Sequence, residues 1–499
     1  MSVIKKLAGQ TAIYGVSSIL ARVLNYFLTP LYVARFTADV YGENTEMYAY
    51  VAFFMVILTF GLETAFFNFS TRENKNKEKV YSTALTFLAA SSLVFIIIGL
   101  LFTQSIADGI GYSSRPDFVL YFVFVLAFDA FSAIPMARLR QENKAKKFAL
   151  INLANIGTAI LFNLIFIWYG KGCLDSGKTN WFSELVYNPE VGIAYIFIAN
   201  LIASSVKLAL LYKEILLVKW QWNMQLLKQM LIYGLPLMIA GFAGIINETF
   251  DKILLRKILE PEHGIVYAKQ QVGIYGGVYK LSIIISLFIQ AYRYAAEPFF
   301  FAKSKDKDAK STYAFIMNYF VIAVSIMFLG VMLYLDLFKW FVPKPEYWEA
   351  LFIVPILLLA NICLGIYYNQ SIWYKLSGKT KYGAYFAIGG AILTIILNII
   401  FIPSFGFVAS AWATLVVYAS MMVASYFYGQ KHYPIPYNLK KVGFYLLLAL
   451  VLYGVSELLK LVLPDSLPLV LSINTLLFAI YLWFIYNLEK KEIKQLFKK

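Results

Sequence analysis

The chain has 499 residues, 60% of them hydrophobic and only 14% charged, with a formal net charge of +16 and a mean hydropathy of +0.67. That apolar fraction excludes a soluble globular fold of this length, and apolar stretches of about 20 residues, enough to cross ~30 Å of hydrocarbon, recur along nearly the whole chain. Two cysteines and two histidines leave no disulfide framework, no metal motif and no histidine-based catalysis, so no cofactor and no metal are expected.

Fourteen transmembrane α-helices are predicted, at roughly 11–34, 45–68, 82–104, 117–138, 148–169, 191–212, 229–256, 274–301, 312–335, 348–374, 382–402, 407–428, 441–461 and 468–488. The alternating pattern of an outer-membrane barrel is absent. The first span is too long and too polar for a cleaved signal peptide. It carries Thr11, Ser18, Arg22, Asn25 and Thr29 at spacings that share one helical face. A charge near mid-depth costs ~2.5–3.5 kcal/mol on insertion scales, so Arg22 is expected to face a cavity or a partner. Its rigid fork of donors suits a phosphate or pyrophosphate. The alternative is a helix-locking pair with an acid such as Asp129. Glu63 in the second span and Asp129 in the fourth are lone acids, each a candidate for a proton or Na⁺ or for a structural hydrogen bond.

The seventh span ends in Asn247, Glu248, Asp251, Lys252 and Arg256, either gating salt bridges or a solvated, snorkelling helix end. The eighth places Tyr279, Ser282, Ser286, Gln290, Arg293 and Glu297 on one face opposite Ile283, Ile284, Leu287 and Phe288. That stripe reads as the wall of a water-filled cavity. Arg293 either touches a ligand there or pairs with Glu297 at i,i+4. Lys280 lies near the end of the same span. Pro30, Pro135, Pro236, Pro298 and Pro355 fall within or at the ends of spans and suggest kinks.

Lys144–Ile167 echoes Lys379–Ile402 at a constant offset of 235 residues: Lys144, Lys146, Ala149, Ile160, Asn163, Ile165, Phe166 and Ile167 all recur. Gln10 and Ile13-Tyr14-Gly15 reappear as Gln229 and Ile232-Tyr233-Gly234, and Gly192, Ala199 and Leu201 as Gly406, Ala413 and Leu415. A shift of six spans preserves orientation, so the repeats are parallel, a pattern found in transporters. The expected organisation is an N-lobe (1–218), a C-lobe (224–430), an additional helix pair (441–488) and a basic tail (489–499). With both termini in the cytoplasm, inside loops carry roughly three times as many Lys and Arg as outside loops. The positive charge is thus a topology signal rather than a nucleic-acid footprint. The equivalent basic loops Arg138–Lys147 and Lys375–Lys381 serve topology or attract anionic lipid headgroups.

Several of these segments resemble the polysaccharide and O-antigen flippase family, in the superfamily of multidrug, oligosaccharidyl-lipid and polysaccharide exporters. The segments are Ser18-Ile-Leu-Ala-Arg22-Val-Leu with Val40-Tyr41-Gly42; Thr59-Phe-Gly61-Leu62-Glu63-Thr64-Ala65; Tyr233-Gly234-Leu235-Pro236 with Asp251-Lys252; Val272-Gly273-Ile274-Tyr275 with Lys280; and Gly378-Lys379-Thr380-Lys381 with Asn398 and Gly406. One departure is Phe66-Phe67-Asn68-Phe69, where many relatives carry a basic residue. The resemblance implies a MATE-like all-α fold in the cytoplasmic (inner) membrane. It implies movement of an undecaprenyl-pyrophosphate-linked oligosaccharide to the outer leaflet by rocking of two lobes. Arg22 and Arg293, with Ser18, Asn25, Ser286 and Gln290, become candidate pyrophosphate and cavity residues. Asp129, Glu63, Glu297, Asp251, Lys252, Glu248 and Lys280 become candidates for gating or for H⁺ or Na⁺ coupling. Implied partners are the polyprenyl-pyrophosphate glycan, the lipid bilayer, and the polymerase and glycosyltransferases that handle the glycan. A cation-coupled multidrug antiporter and a lipid-linked peptidoglycan precursor flippase are the alternatives. An enzyme is disfavoured, because the longest outer loop holds only unpaired acids, Asp175, Glu184 and Glu190.

Overall fold

A computed structural model describes residues 3–72, 76–216, 218, 220–304, 306–462, 464 and 466–496. Hydrocarbon offers the backbone no hydrogen-bond partner, so each long apolar segment closes its own bonds as a helix. The long helices are α1 (Val3–Tyr26), α2 (Ala38–Thr59), α3 (Lys77–Leu101), α4 (Pro116–Gln141), α5 (Ala145–Asn163), α6 (Ala194–Leu210), α7 (Met224–His263), α8 (Ile265–Lys303), α9 (Ala309–Leu333), α10 (Val354–Gln370), α11 (Lys381–Phe405), α12 (Phe407–His432), α13 (Leu439–Val462) and α14 (Leu467–Leu496). No strand occurs among the described residues. Thirteen segments are long and apolar enough to cross a membrane. The predicted sixth span is α6, with 17 residues; at 1.5 Å per residue it reaches about 26 Å, short of a full hydrocarbon core.

Several predicted spans are not single regular helices. The second breaks where Phe60 and Gly61 take φ of 50° and 65°, and the chain resumes as Leu62–Arg72. The fifth passes from α5 into eight residues of π-helix, Leu164–Lys171. The expected loop between spans 7 and 8 is largely helical instead. α7 has 40 residues and α8 has 39, about 60 Å each, and Gly264 at φ 83° is the turn between them. Charges at 251–269 marked the edge of the apolar stretch, not the end of the helices. Pro30 and Pro355 begin helices, whereas Pro135 and Pro236 lie inside α4 and α7.

The chain forms two compact units. The first holds residues up to Gly276 together with Thr394–Gly406; the second holds Gly277–Leu393 and residues from Phe407 onward. In the first, backbones touch at two glycine pairs. A Cβ on Gly273 would lie 1.8 Å from the Ala38 carbonyl oxygen, and one on Gly61 would lie 2.3 Å from that of Gly234. The repeat asparagines also lie in this unit and share a local role. Asn163 Nδ2 donates to the Ala159 carbonyl (2.7 Å) and Asn398 Nδ2 to the Thr394 carbonyl (2.8 Å). Both are fully buried, and Asn163 also accepts from Tyr32 Oη at 2.9 Å.

In the second unit α10 packs on α12 and α9, and α13 and α14 pack on α9. Three buried polar layers fix that terminal pair. Asn474 donates to the Leu333 carbonyl (2.5 Å) and accepts from Ser456 (2.6 Å). Tyr481 Oη donates to Ser325 (2.7 Å). Glu489 pairs with Lys441 (2.7 Å) and accepts from Tyr445 and Tyr319.

Candidate functional site

On α1, Ser18 is half-buried, and Arg22 and Asn25 are exposed on the face their spacing predicts. The lone acids turn out to have basic neighbours. Asp129 on α4 pairs with Lys207 on α6 at 2.5 Å, and Glu63 pairs with Arg140. The basic loop after α4 is likewise internally neutralised: Arg138 binds Glu78 and Glu142, Lys144 binds Glu142, and Lys147 binds Glu214. Burial acts to raise the Glu142 carboxyl. Hydrogen bonds from Lys144 and Arg138 outweigh it and hold the group below the usual carboxylate range.

The densest charge cluster lies in the extended ends of α7 and α8 against the start of α2. Arg256 is wholly buried and its Nη1 meets both oxygens of Glu46 at 3.0 Å. It also donates to the carbonyls of Ile110 (2.6 Å) and Gly111 (3.0 Å) and pairs with Glu260 at 3.2 Å. Tyr112 Oη donates to Glu46 at 2.8 Å. Beside it, Lys269 pairs with Glu43 at 2.8 Å. One helical turn before Arg256, Asp251 accepts from Lys252 Nζ (2.9 Å) and from Tyr275 Oη (2.6 Å). Asn247 accepts from Thr394 at 3.1 Å. Glu248 is exposed, and only its carbonyl receives Lys252 Nζ, at 3.2 Å. Arg256 therefore does not snorkel; protein groups replace water around it. Glu43, Glu46 and Tyr112 escaped sequence reasoning. Two acids three residues apart at the head of an apolar helix were the available signal.

In the second unit the α8 stripe faces α10. Ser286 Oγ donates to Asn361 Oδ1 (2.9 Å), and Asn361 Nδ2 donates to Ser282 Oγ (3.3 Å). Tyr292, outside the predicted stripe, bonds Asn369. The Arg293 guanidinium lies 4.1 Å from the Tyr368 ring centroid. Its Nε is 3.6 Å from Glu297, and Glu297 is held by Lys375 at 2.6 Å. Gln290 and Lys280 are half-buried. The stripe thus zips α8 to α10 over its first half and leaves Arg293, 38% exposed at the side chain, as a pre-oriented cation. Among the described residues no cluster of three or more His, Cys, Asp or Glu could hold a metal.

The model of a family described as polysaccharide biosynthesis protein matches residues 7–303, more than half of the chain. The chain belongs to that family. A relative from Haemophilus influenzae, Lsg locus putative protein 1, is 20% identical over 307 residues, covering 60% of this chain and 68% of that protein. Among solved structures, the inward closed conformation of the lipid II flippase MurJ superposes with a TM-score of 0.73 at 16% identity, over 95% of this chain and 99% of MurJ. An inward-facing multidrug resistance MATE family transporter gives 0.60 at 11% identity, over 86% and 98%. The MATE multidrug transporter DinF-BH gives 0.61 at 16%, over 87% and 97%. The family member described here is thus a multi-pass membrane protein with the helical fold shared by MurJ and MATE transporters.

Proposed function

We propose that this protein is a flippase that carries an undecaprenyl-pyrophosphate-linked oligosaccharide from the cytoplasmic to the outer leaflet, without catalysing a covalent step. It would work in the cytoplasmic membrane with both termini inside, by alternating access of the lobes 1–218 and 224–430. The observation that carries the reading is Arg22. A guanidinium near mid-depth of the predicted first span (11–34) is costly against lipid and suited to a pyrophosphate, in a family devoted to polysaccharide biosynthesis. Arg293, oriented by Tyr368 and Glu297, is the second anchor. Ser18 and Asn25 are the candidate substrate contacts beside Arg22 on α1, and Gln290 and Ser286 those beside Arg293 on α8.

The cluster of Glu46, Arg256, Glu260, Glu43 and Lys269, with Asp251, Lys252 and Glu248 on the same helix α7, acts as a latch that holds α2 to the ends of α7 and α8; Lys280, further along α8, is a separate gating candidate. Asp129 and Glu63 are the sites where H⁺ or Na⁺ would compete with Lys207 and Arg140. The antiporter alternative needs acids open to a cationic drug. Asp129, Glu63, Asp251 and Glu297 each already hold a Lys or Arg, which favours the flippase. Native mass spectrometry of the purified protein tests it. A polyprenyl-pyrophosphate glycan should accompany the wild type and be lost from Arg22→Ala. Retention of the glycan by the variant would remove Arg22 as the anchor, and ordinary phospholipid alone in the wild type would turn the assignment towards drug transport.

A further inference from the structure

The segment between α5 and α6 carries an amphipathic element that the flippase reading does not use. Trp181–Val186 is a short helix closed by a capping box: Asn180 Oδ1 accepts from the Ser183 amide, and Ser183 Oγ accepts from the Asn180 amide. Its inner face is Ser183, followed by Tyr187 just beyond its end, both buried. Tyr187 seats against Gly170, where an added Cβ would come within 2.7 Å of Tyr187 Cβ. Phe182 packs on Tyr169 with ring centroids 5.5 Å apart, and Tyr169 Oη bonds the Asn180 side chain. The helix is therefore docked on the π-helical end of the fifth span. Trp181 and Leu185, at i,i+4, point away with 77% and 72% of their surface exposed.

The depth of that end follows from helix geometry. Lys146 and Lys147 mark one membrane interface at the start of α5. The twenty steps from Phe148 to Trp168 rise about 30 Å, the thickness of the hydrocarbon core. Leu150, Leu153, Leu161, Leu164 and Trp168 form an exposed apolar stripe along this path, the surface that lipid covers. Trp168 thus stands at the opposite headgroup level, where tryptophan is favoured. The helix that carries Trp181 and Leu185 is docked on the next residues, Tyr169 and Gly170, and so lies near that level. Lys178, Glu184 and Glu190 are exposed around them, a mixed set with no excess of basic charge to draw an anionic headgroup; apolar burial is the attraction.

We propose that Trp181–Val186 is an interfacial anchor that sinks Trp181 and Leu185 among the headgroups and first acyl carbons of the leaflet meeting the Trp168 end of α5. The test uses the full-length protein in phosphatidylcholine nanodiscs, with Trp181 emission isolated as wild type minus Trp181→Phe. Lipids carrying a nitroxide near the headgroup should remove most of the difference signal. Lipids labelled near the chain terminus should remove less, and aqueous iodide little, with no change in high salt. Strong quenching by iodide without quenching by either lipid would place the helix in water and overturn the anchor. Protection from all three would mean a protein covers the face, which overturns it equally. A bimane on Leu185→Cys, in a chain with Cys173 and Cys363 replaced by serine, reads the same depth without altering Trp181.

Discussion

Arg256 is the residue at which charge, burial and position meet. A guanidinium removed from water is tolerated only when its donors and its charge are both answered. Here Glu46, Glu260 and two carbonyls answer them. Removing Arg256 leaves Glu46 buried without its cation, the Tyr112 hydroxyl still donating to it, a loss of roughly 3–5 kcal/mol; removing Glu46 leaves Arg256 with Glu260 and should cost less, while replacing both by neutral groups can be nearly neutral. Arg256→Met alone should therefore lower the detergent unfolding midpoint markedly, and Glu46→Gln alone should lower it less. The double variant should recover much of the loss. Additive losses in that cycle would show that the two side chains do not act as a pair. Asn163 and Asn398 make a milder case: each is buried and bonds a carbonyl one turn back in its own helix. Alanine at either site should cost about 1–3 kcal/mol, read in the same melting assay.

At the scale of elements, glycine decides how near two helices come. The contact of α2 with α8 leaves no room for a side chain, since a Cβ on Gly273 would overlap the Ala38 carbonyl oxygen. Gly273→Ala should separate the helices and cost more stability than Gly109→Ala, whose added carbon meets nothing within 4 Å. Equal melting of the two variants would contradict a close crossing. The end of α4 gives a pH prediction. Glu142 is held below its ordinary range by Lys144 and Arg138. A depressed folded-state pKa contributes stability that is present above the unfolded carboxylate value of about 4.3 and lost as pH falls through the folded value. Wild type should thus exceed Glu142→Gln in stability at neutral pH, and the gap should close on acidification. A gap that widens towards low pH would reverse the sign.

At the scale of the whole molecule the proposal is mechanical. If the Glu43–Lys269 and Glu46–Arg256 contacts form a latch, transport requires them to part. A bismaleimide bridge between Glu43→Cys and Lys269→Cys, in a chain with Cys173 and Cys363 replaced by serine, should block glycan flipping in reconstituted vesicles. Each single cysteine treated with the same reagent should retain it. Full transport through the bridged protein would show that the α2–α8 contact stays closed throughout the cycle.

Hydropathy was enough to determine an all-helical membrane protein and thirteen of the fourteen predicted spans, because the cost of exposing backbone and charge to hydrocarbon acts on each segment by itself; the family resemblance came from short motifs in order. Even the short motifs carried structural content: Gly42, Gly61, Gly234 and Gly273 are where backbones touch. The partners of the charges were a different matter. Glu46 meets Arg256 across 210 residues, Asp129 meets Lys207 across 78, and the α8 stripe bonds α10 across more than 70. Periodicity reports which face of a helix is polar, but not which other helix covers it. Nor does hydropathy tell a helix that ends from one that runs on past its apolar stretch, as α7 and α8 do. Pairing and burial are properties of packed neighbours, so only the tertiary structure could decide them.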